Sequence, residues 1–488
     1  MSENFIDVMI GLEIHVQITS LKTKLFCGCS SDYRNLPPNT NVCPVCLGLP
    51  GALPKVNKKA IEKALMVAIA LNMKIAESVS WARKHYFYPD LPKNYQITQY
   101  EGKGVASIAK DGYLDYYLNG SVKRARIRRI NLEEDPGKIL YHSGSMLTSK
   151  YSLIDYNRSG VALLEIVTEP DFRSSKEVLA FLRELRTVLE YLDITDLDLE
   201  GAMRVDVNIS VGKGKRVEIK NIGSLSDIEA AILYEITRQK SLVEKGIEVE
   251  METRHWDQDK KATFGTRAKE SEEDYRYFPD PNLPPIEIDR DLLGKIAMEM
   301  PELPSVKRRR FVEKYGISEY LAHAISSNRR LAEYFEEVMK GTTINAERAA
   351  ALIANDLVGW IGAERIKEIG NVVPPSEMAK LLELLRTEAI SIKIAKEVIP
   401  ELVSGKRLED ILNARGWIGK VSGEELSKVI EKIVSENRKA VEDAINNPRA
   451  IQFLIGKVME ATNKKADPKE TYELLAKRID EYKQKRRV

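Results

Sequence analysis

All four cysteines of this 488-residue chain fall between positions 27 and 46. Two short cysteine pairs joined by a loop can supply the four thiolates of a tetrahedral zinc site without help from the rest of the fold. Four cysteines are too few for a disulfide framework in a chain this long, and in a reducing cytosol such clusters more often bind metal. We therefore predict a structural zinc knot formed by Cys27, Cys29, Cys43 and Cys46, with four buried reduced thiols as the alternative.

The segment just before the cysteines, residues 7–17, alternates apolar and polar side chains. This period of two predicts a β-strand whose buried face carries Leu12, Ile14 and Val16. The opposite face then carries Glu13, His15 and Gln17, which point either to a cleft or simply to solvent.

Two further segments place carboxylates where they need a partner. Glu133, Glu134 and Asp135 are adjacent and precede a Pro-Gly turn, so their mutual repulsion calls for a cation or a lysine. Glu165 interrupts the apolar, strand-like run 161–167, and a carboxylate in a buried strand must be paired or bind metal. Mg²⁺ prefers a few carboxylates together with water and substrate phosphates. For the acidic turn, the alternative is a set of ordinary solvent-exposed carboxylates that bind no metal.

The remaining pattern predicts a mixed first half and a helical second half. Residues 104–130 are predicted to form strands and a hairpin, with Asp111-Gly112 and Asn119-Gly120 as turn signals. Ser174 and Ser422 each open a capping box that predicts a helix start. From about residue 290 the chain reads as successive amphipathic helices, with breaks predicted at Pro374-Pro375 and Pro400 and a basic end at Arg486-Arg487. Arg124, Arg126 and Arg128 share one strand face, as a phosphate-sized patch or a solvated edge.

Several classes of protein are excluded. The 75 basic and 73 acidic residues nearly balance, so no long-range field indicates a nucleic-acid partner and any such site must be local. Neither a signal peptide nor an apolar run of membrane-spanning length occurs, which favours the cytoplasm and no membrane partner. No P-loop, dinucleotide fingerprint or nucleophile elbow is present. With all four cysteines committed to zinc, a cysteine-dependent glutaminase is not expected.

With these residues laid out, the chain resembles the B subunit of the tRNA-dependent amidotransferases, the GatB family, essentially from end to end. The matching strings are Gly11 to Gln17, Cys43 to Gly51, Tyr88 to Ile97, Leu132 to Asp135 with Gly137-Lys138, Asp155 to Gly160, Glu165 to Asp171, Arg276 to Asp280, Asn447-Pro448 and Gly456 to Met459. The chain departs from many members at Asn131, at Pro136 and after Asn221.

The resemblance implies an α+β fold: a cradle-like catalytic domain on an antiparallel sheet with the zinc knot, then an all-α helical domain and a small helical tail. We place these at residues 1–290, 291–403 and 404–488, with the region similar to the YqeY family at about 334–485.

The resemblance also implies an activity. Members of the family use ATP to phosphorylate the side-chain carboxylate of misacylated Glu-tRNA(Gln) or Asp-tRNA(Asn), and ammonia then displaces the phosphate. The implied enzyme is a carbon–nitrogen ligase (EC 6.3.5.-) with glutamine as amide donor. Two partners are expected to complete a heterotrimer: an amidase-type glutaminase and a small third protein that clamps the other two.

Combining the residue patterns with the matching strings, we assign Mg²⁺ binding and catalysis to Glu13, His15, Glu133 or Glu134, and Glu165. Lys93, Arg204, Asp206 and Lys220 are candidates for phosphate contact or for guiding ammonia, and Glu134 is a candidate base for ammonium. Two alternatives remain: a non-catalytic zinc-containing tRNA-binding scaffold, and an adenylating, synthetase-like ligase.

Overall fold

The computed structural model describes residues 7–102, 104–143, 149–268, 272–417, 421, 423–446, 450–462 and 465–485. The predicted cap Ser422, the Asn447-Pro448 string and the basic pair Arg486-Arg487 lie outside these ranges. The chain divides into two compact units, Met1–Leu303 and Pro304–Val488.

The described residues of the first unit form strands and four α-helices. The strands are β1 Val8–Gln17, β2 Lys74–Ile75, β3 Ser78–Val79, β4 Ala82–His85, β5 Tyr95–Thr98, β6 Ala109–Leu118, β7 Ser121–Glu134, β8 Lys138–Tyr141, β9 Ser152–Asp155, β10 Ala162–Thr168, β11 Met203–Val211, β12 Val217–Ile222, β13 Glu252–Asp257, β14 Ala262–Ala268, β15 Phe278–Pro279 and β16 Ile286–Glu287. The helices are α1 Lys58–Ala70, α2 Ser175–Tyr191, α3 Leu225–Glu244 and α4 Arg290–Glu299, with a 3₁₀ turn at Glu272–Tyr275.

A sheet with the strand order β14-β13-β12-β11-β1-β10-β7-β6-β2 organises this unit within the described residues. The neighbours pair antiparallel except β12 and β13, which run parallel because α3 connects them as a crossover. The antiparallel character predicted from sequence is therefore confirmed, with one parallel pair added.

The predicted strand at residues 7–17 is confirmed as β1, and its alternation decides which face is buried. Leu12, Ile14 and Val16 lie in the hydrophobic core, into which helix residues such as Leu65 and Phe181 also pack. Burial of this face holds the register of β1, since a slip of one residue would exchange its apolar and polar sides. Glu13 and His15 consequently lie on the opposite face of the sheet.

The predicted hairpin is confirmed, because Asn119-Gly120 connects β6 to β7 as its sequence indicates. The second turn signal, Asp111-Gly112, does not mark a turn. It lies inside β6, where Lys110 pairs with Arg129 and Gly112 with Ile127 in one continuous register, and Asp111 has a positive φ of 53°. Gly112 is needed there for close approach: an added Cβ would lie 2.5 Å from the carbonyl oxygen of Leu71.

The basic face of β7 carries ion pairs. Arg124 pairs with Asp115 at 2.6 Å, Arg126 with Asp171 at 2.6 Å and Arg128 with Glu169 at 2.9 Å. All three arginine side chains are largely exposed, so this surface corresponds to a solvated, charge-matched sheet face.

The second unit is helical. Its helices are α5 Pro304–Tyr315, α6 Glu319–Ser326, α7 Arg329–Lys340, α8 Ala346–Ala351, α9 Val358–Ile361, α10 Ile369–Val372, α11 Pro375–Arg386, α12 Ile392–Val403, α13 Leu408–Arg415, α14 Gly423–Glu436, α15 Arg438–Asn446, α16 Ile451–Ala461 and α17 Pro468–Lys485. A π-helical segment at Leu352–Leu357 joins α8 to α9, and a 3₁₀ segment lies at Ala363–Glu368.

Proline positions in this unit test the predicted breaks. Pro374-Pro375 does mark a boundary, because Pro375 opens α11, where its missing N–H has no helical partner to lose. The predicted break at Pro400 is wrong: α12 continues through it to Val403. Only the last turn follows Pro400, so the helix loses a single backbone hydrogen bond near its end.

Candidate active site

The four cysteines converge as predicted. Their sulfur atoms all lie within 4.8 Å of one another, and the Sγ atoms of Cys43 and Cys46 are 3.8 Å apart. All four thiols are free rather than joined in disulfides. The cluster could therefore hold a metal ion.

Electrostatics favour a thiolate at Cys46. A hydrogen bond with Cys27 and the ammonium group of Lys24 together lower the pKa of Cys46 to about 5, against the opposing effect of burial. The same hydrogen bond raises the pKa of Cys27, and burial raises that of Cys29 to about 11. Lys24 is completely buried; its Nζ donates to the carbonyl oxygen of Asn41 at 2.8 Å and lies 3.8 Å from the Cys46 sulfur. A buried cation beside the cluster offsets the negative charge that bound thiolates carry.

A cavity of about 690 Å³ opens on the polar face of β1, opposite its apolar core side. Strands and loops that are far apart in sequence contribute its polar lining. The polar lining residues that belong to the large sheet are Glu13 and His15 from β1, Glu133 from β7, Glu165 from β10, Arg204 and Asp206 from β11, Lys220 from β12 and Thr253 and His255 from β13.

Strand pairing brings the predicted residues together. In the β1 ladders Glu13 lies opposite Asp206, while His15 lies opposite Glu165 on one side and Arg204 on the other. The Nε2 atom of His15 is 3.7 Å from Glu133 Oε1. The imidazole therefore lies near carboxylates of two other strands, β10 and β7, which follow β1 on the same side of the sheet.

Three carboxylates form a second group, here called the acidic triad: Glu13, Asp206 and Glu218. Their oxygen atoms lie within 4.8 Å of one another. Lys220 Nζ is 2.9 Å from Asp206 and 3.0 Å from Glu218, so one ammonium group faces three acids. The triad has more negative than positive charge in immediate contact.

The pKa shifts reflect this excess of acid. Burial raises the pKa of Glu13, and the nearby charges of Glu165 and Glu218 raise it further. Burial, followed by the charge of Glu165, likewise raises the pKa of Glu133. For Lys220 the surrounding acids outweigh burial and hold the pKa above its ordinary value. A bound cation would relieve the repulsion that these shifts report.

Asp135 orients two arginines that line the cavity, Arg158 and Arg204, although Asp135 itself does not line it. Its side chain lies 2.8 Å from Arg204 Nη2 and 3.7 Å from Arg158 Nε, and it accepts a 2.7 Å hydrogen bond from Gln17 Nε2. Burial alone would raise the pKa of Asp135, but the two arginines lower it below its ordinary value. Both arginines line the cavity.

The structure separates the two glutamates that sequence left as alternatives. Glu133 lines the cavity, whereas Glu134, one residue on, points to the other side of β7. There Glu134 is buried, with both carboxylate oxygens 2.6 Å from Lys93 Nζ, and one of them accepts the backbone N–H of Ile97. Neither Glu134 nor Lys93 is among the residues that line the cavity.

Sequence reasoning missed Glu218 as a site residue. Its signal was present in the alternation Arg216, Glu218, Lys220, which places all three on one strand face. What the alternation cannot give is the neighbouring strand, and only the pairing of Asn208 with Glu218 brings that acid beside β11 and β1.

Comparison with known proteins decides the family of this chain. The family model described as the GatB/GatE catalytic domain matches residues 8–294, well over half of the chain. The chain belongs to the GatB family. A second model, described as a GatB domain, matches residues 333–479.

Relatives of this GatB-family chain are similar over nearly their whole length, and the three cited here are each named as the B subunit of aspartyl/glutamyl-tRNA(Asn/Gln) amidotransferase. The protein of Sulfurisphaera tokodaii is 51% identical, covering 96% of this chain and 99% of the relative. That of Saccharolobus solfataricus is 49% identical, covering 97% and 99%. That of Carboxydothermus hydrogenoformans is 43% identical, covering 97% and 98%.

Across the residues that the structure describes, no helix is both long enough and apolar enough to span a bilayer.

Proposed function

We propose that this chain is the ATP-dependent transamidating component of a complex that converts Asp-tRNA(Asn), Glu-tRNA(Gln) or both to the amide form. The observation that carries the proposal is the convergence of Glu13, His15, Glu133 and Glu165 in one cavity beside the acidic triad. The names of the relatives, B subunits of aspartyl/glutamyl-tRNA(Asn/Gln) amidotransferase, support the proposed substrate and the proposed membership in a multi-subunit enzyme.

The reaction runs in two steps. A side-chain carboxylate oxygen of the aminoacyl group attacks the γ-phosphorus of ATP, forming an acyl phosphate and releasing ADP. Ammonia then attacks the carbonyl carbon, the C–O bond to phosphate breaks, and amide and inorganic phosphate result. Phosphoryl transfer needs positioning and charge neutralisation more than covalent help, which suits a cavity lined by acids and cations.

The acids fit a divalent cation. We assign Mg²⁺ binding to His15, Glu133 and Glu165 and to the acidic triad. The raised pKa values of Glu13 and Glu133 support this assignment. Asn131 supports it as well: its Nδ2 donates to Glu165 at 2.5 Å, while its Oδ1 is buried and has no hydrogen-bond partner among the described atoms. When bound, Mg²⁺ supplies charge that offsets the phosphate oxygens.

The cations take complementary roles. Arg158, Arg204 and Lys220 line the same cavity and are suited to contact phosphate oxygens. Lys93 and Glu134, buried together outside it, remain our candidates for guiding ammonia, with Glu134 as the base that removes a proton from ammonium. Gln96 connects the two regions, because it lines the cavity and donates to the Glu134 carbonyl oxygen at 2.7 Å.

The metal of the cysteine cluster is proposed to be zinc in a structural role. A tetrahedral zinc ion bound at about 2.3 Å by each sulfur separates the sulfur atoms by about 3.8 Å. The Cys43–Cys46 separation of 3.8 Å agrees with this value. With all four positions taken by cysteine, no position is open for substrate.

The organisation of the protein is proposed from the same reasoning. The catalytic domain occupies residues 1–290, a helical domain 291–403 and a tail domain 404–488. An amidase-type glutaminase supplies ammonia, and a small third protein completes a heterotrimer in the cytoplasm.

The test is tRNA-dependent ATP cleavage by the complex assembled with its partners. Glu13→Gln and Glu165→Gln keep side-chain size and remove a charge, so each should lower the rate at least about 100-fold, given that even partners of metal ligands are worth 10- to 100-fold. Glu248→Gln, on an exposed acid that does not line the cavity, is the control.

The products separate the alternatives. Release of ADP together with amidated aminoacyl-tRNA supports the proposal, whereas pyrophosphate would establish adenylation. Undiminished cleavage by both site variants would leave the non-catalytic scaffold as the function of this chain.

A further inference from the structure

Phe87 lies on the loop between β4 and β5. It is 89% exposed, the largest value among the large hydrophobic residues that the structure describes, yet it lines the active-site cavity. A single exposed apolar side chain is ordinary on a protein surface. One held at the solvent edge of a catalytic cavity is placed to contact whatever enters.

The loop that carries Phe87 is fixed at three backbone positions directly after it. The N–H of Leu91 donates to the carbonyl oxygen of Tyr88 at 3.1 Å, and the Tyr156 hydroxyl donates to that of Pro89 at 2.8 Å. The N–H of Gly137 donates to the carbonyl oxygen of Asp90 at 2.9 Å. The ring is therefore presented by an ordered segment, so little loop entropy is lost when a ligand covers it.

The surroundings of Phe87 combine aromatic rings with cations. Tyr88 and Tyr141 also line the cavity. Lys84 and Arg158 line it as well. An aromatic surface beside cations is the combination that binds a nucleobase and its phosphates, since every base has a π-face that stacks on an aromatic ring.

We propose that Phe87 is a stacking platform for an adenine ring at the entrance of the cavity. The inference rests on the proposed function, which brings two adenosines to this cavity: that of ATP and the terminal nucleotide of the tRNA acceptor end. Each carries its reacting group toward the acids and its base away from them, toward the edge that Phe87 occupies. The shared chemistry is an adenine ring, and its source is decided by experiment.

The experiment compares Phe87→Ala and Phe87→Trp in the assembled complex, with equilibrium titrations of ATP in Mg²⁺ and, separately, of uncharged tRNA. Deletion of one base–aromatic stack weakens binding about 5- to 150-fold, so Phe87→Ala should raise one of the two Kd values by that factor. Phe87→Trp, which keeps a flat ring, should retain wild-type binding. Val122→Ala, on an exposed apolar residue near the start of β7, is the matched control.

The ligand whose Kd rises identifies the base. Unchanged Kd values for both ligands would overturn the inference, as would elution of Phe87→Ala free of its partner proteins, which would make Phe87 a protein contact. Because binding is read without turnover, the proposed function can fail separately: a wild-type complex that binds ATP and tRNA but cleaves no ATP would refute the activity alone.

Discussion

Asp135 shows what one buried charge does for this site. It is 1% exposed, and its carboxylate is compensated by Arg158, Arg204 and the amide of Gln17. Removing one member of a buried charge network leaves the others desolvated and unpaired, which costs more than the network contributes when intact. The residue does not itself line the cavity, yet it orients two cations that do.

Asp135→Asn should therefore lower the free energy of unfolding by about 3–5 kcal/mol. The pKa of Asp135 is lowered in the folded protein, so the stability that its charge provides is complete above the ordinary value of 3.8 and is lost as pH falls through the lower, folded value. The variant should lack this loss on the acid side. Denaturant unfolding across pH measures both effects, and Asp259→Asn, at an exposed position, is the control. Equal midpoints for the two variants would contradict the assignment.

Glu218→Gln tests the residue that sequence reasoning overlooked. If the acidic triad holds a cation, loss of one of its three charges should raise the Mg²⁺ concentration for half-maximal ATP cleavage about 10-fold or more. An unshifted Mg²⁺ dependence, with wild-type unfolding, would remove Glu218 from the ion site.

At single positions, the sequence predicted which face of a strand a side chain occupies, but not which side chains of neighbouring strands it contacts. Glu13 and His15 followed from alternation and Glu165 from its apolar surroundings. The choice between Glu133 and Glu134 needed the pairing of β7 with β10, in which Leu163 lies opposite Glu133. That register depends on packing across the sheet, which a local pattern does not contain.

At the scale of elements, the loop of the cysteine cluster is connected to β1. Arg34, from the loop between the two cysteine pairs, donates to Gln17 Oε1 at 2.6 Å. Gln17 in turn donates to Asp135 through its amide nitrogen. The loop of the cysteine cluster therefore supports the carboxylate that orients Arg158 and Arg204.

Cys43→Ser should destabilise the fold and weaken tRNA binding rather than slow the chemical step selectively. The reason is that loss of a structural metal removes folding free energy outright. Thermal unfolding and tRNA titration with and without a chelator measure the effect, and Ser30→Ala in the same loop controls for loop mutation. A variant with wild-type stability and tRNA affinity but no ATP cleavage would show a catalytic role instead.

Element existence could be predicted well where one strong period dominated, as for β1, β10 and α2. Turn and helix-break predictions were wrong where a residue type that is typical of a turn or a break had another structural role. Asp111-Gly112 served a strand irregularity and a close approach to Leu71, and Pro400 fell where a helix loses only one hydrogen bond. In each case the residue type was read correctly and tertiary context decided its use.

Over the whole molecule, the site depends on contacts between distant segments. β1 pairs with β10 and β11, so Glu13 lies opposite Val167 and Asp206 across more than 150 residues of sequence. Periodicity predicts each strand but not its neighbour, and the strand order of the sheet could not be derived from the chain alone.

The second unit should lose stability in mild acid through His323 of α6. Burial, with a smaller contribution from the charge of Arg308, lowers the pKa of His323 to about 4, so the folded unit favours the neutral ring. An unfolded chain takes up the proton near the ordinary value of 6.5. Stability is then complete above pH 6.5 and decreases as pH falls toward about 4.

His323→Gln, which cannot titrate, should flatten this dependence. Hydrogen exchange of the amides in α5 and α6, compared at pH 7 and pH 5 after correction for intrinsic rates, measures it. His142→Gln, in the first unit, should keep the wild-type difference. If the α6 amides lose equal protection in wild type and in His323→Gln, another group causes the acid sensitivity.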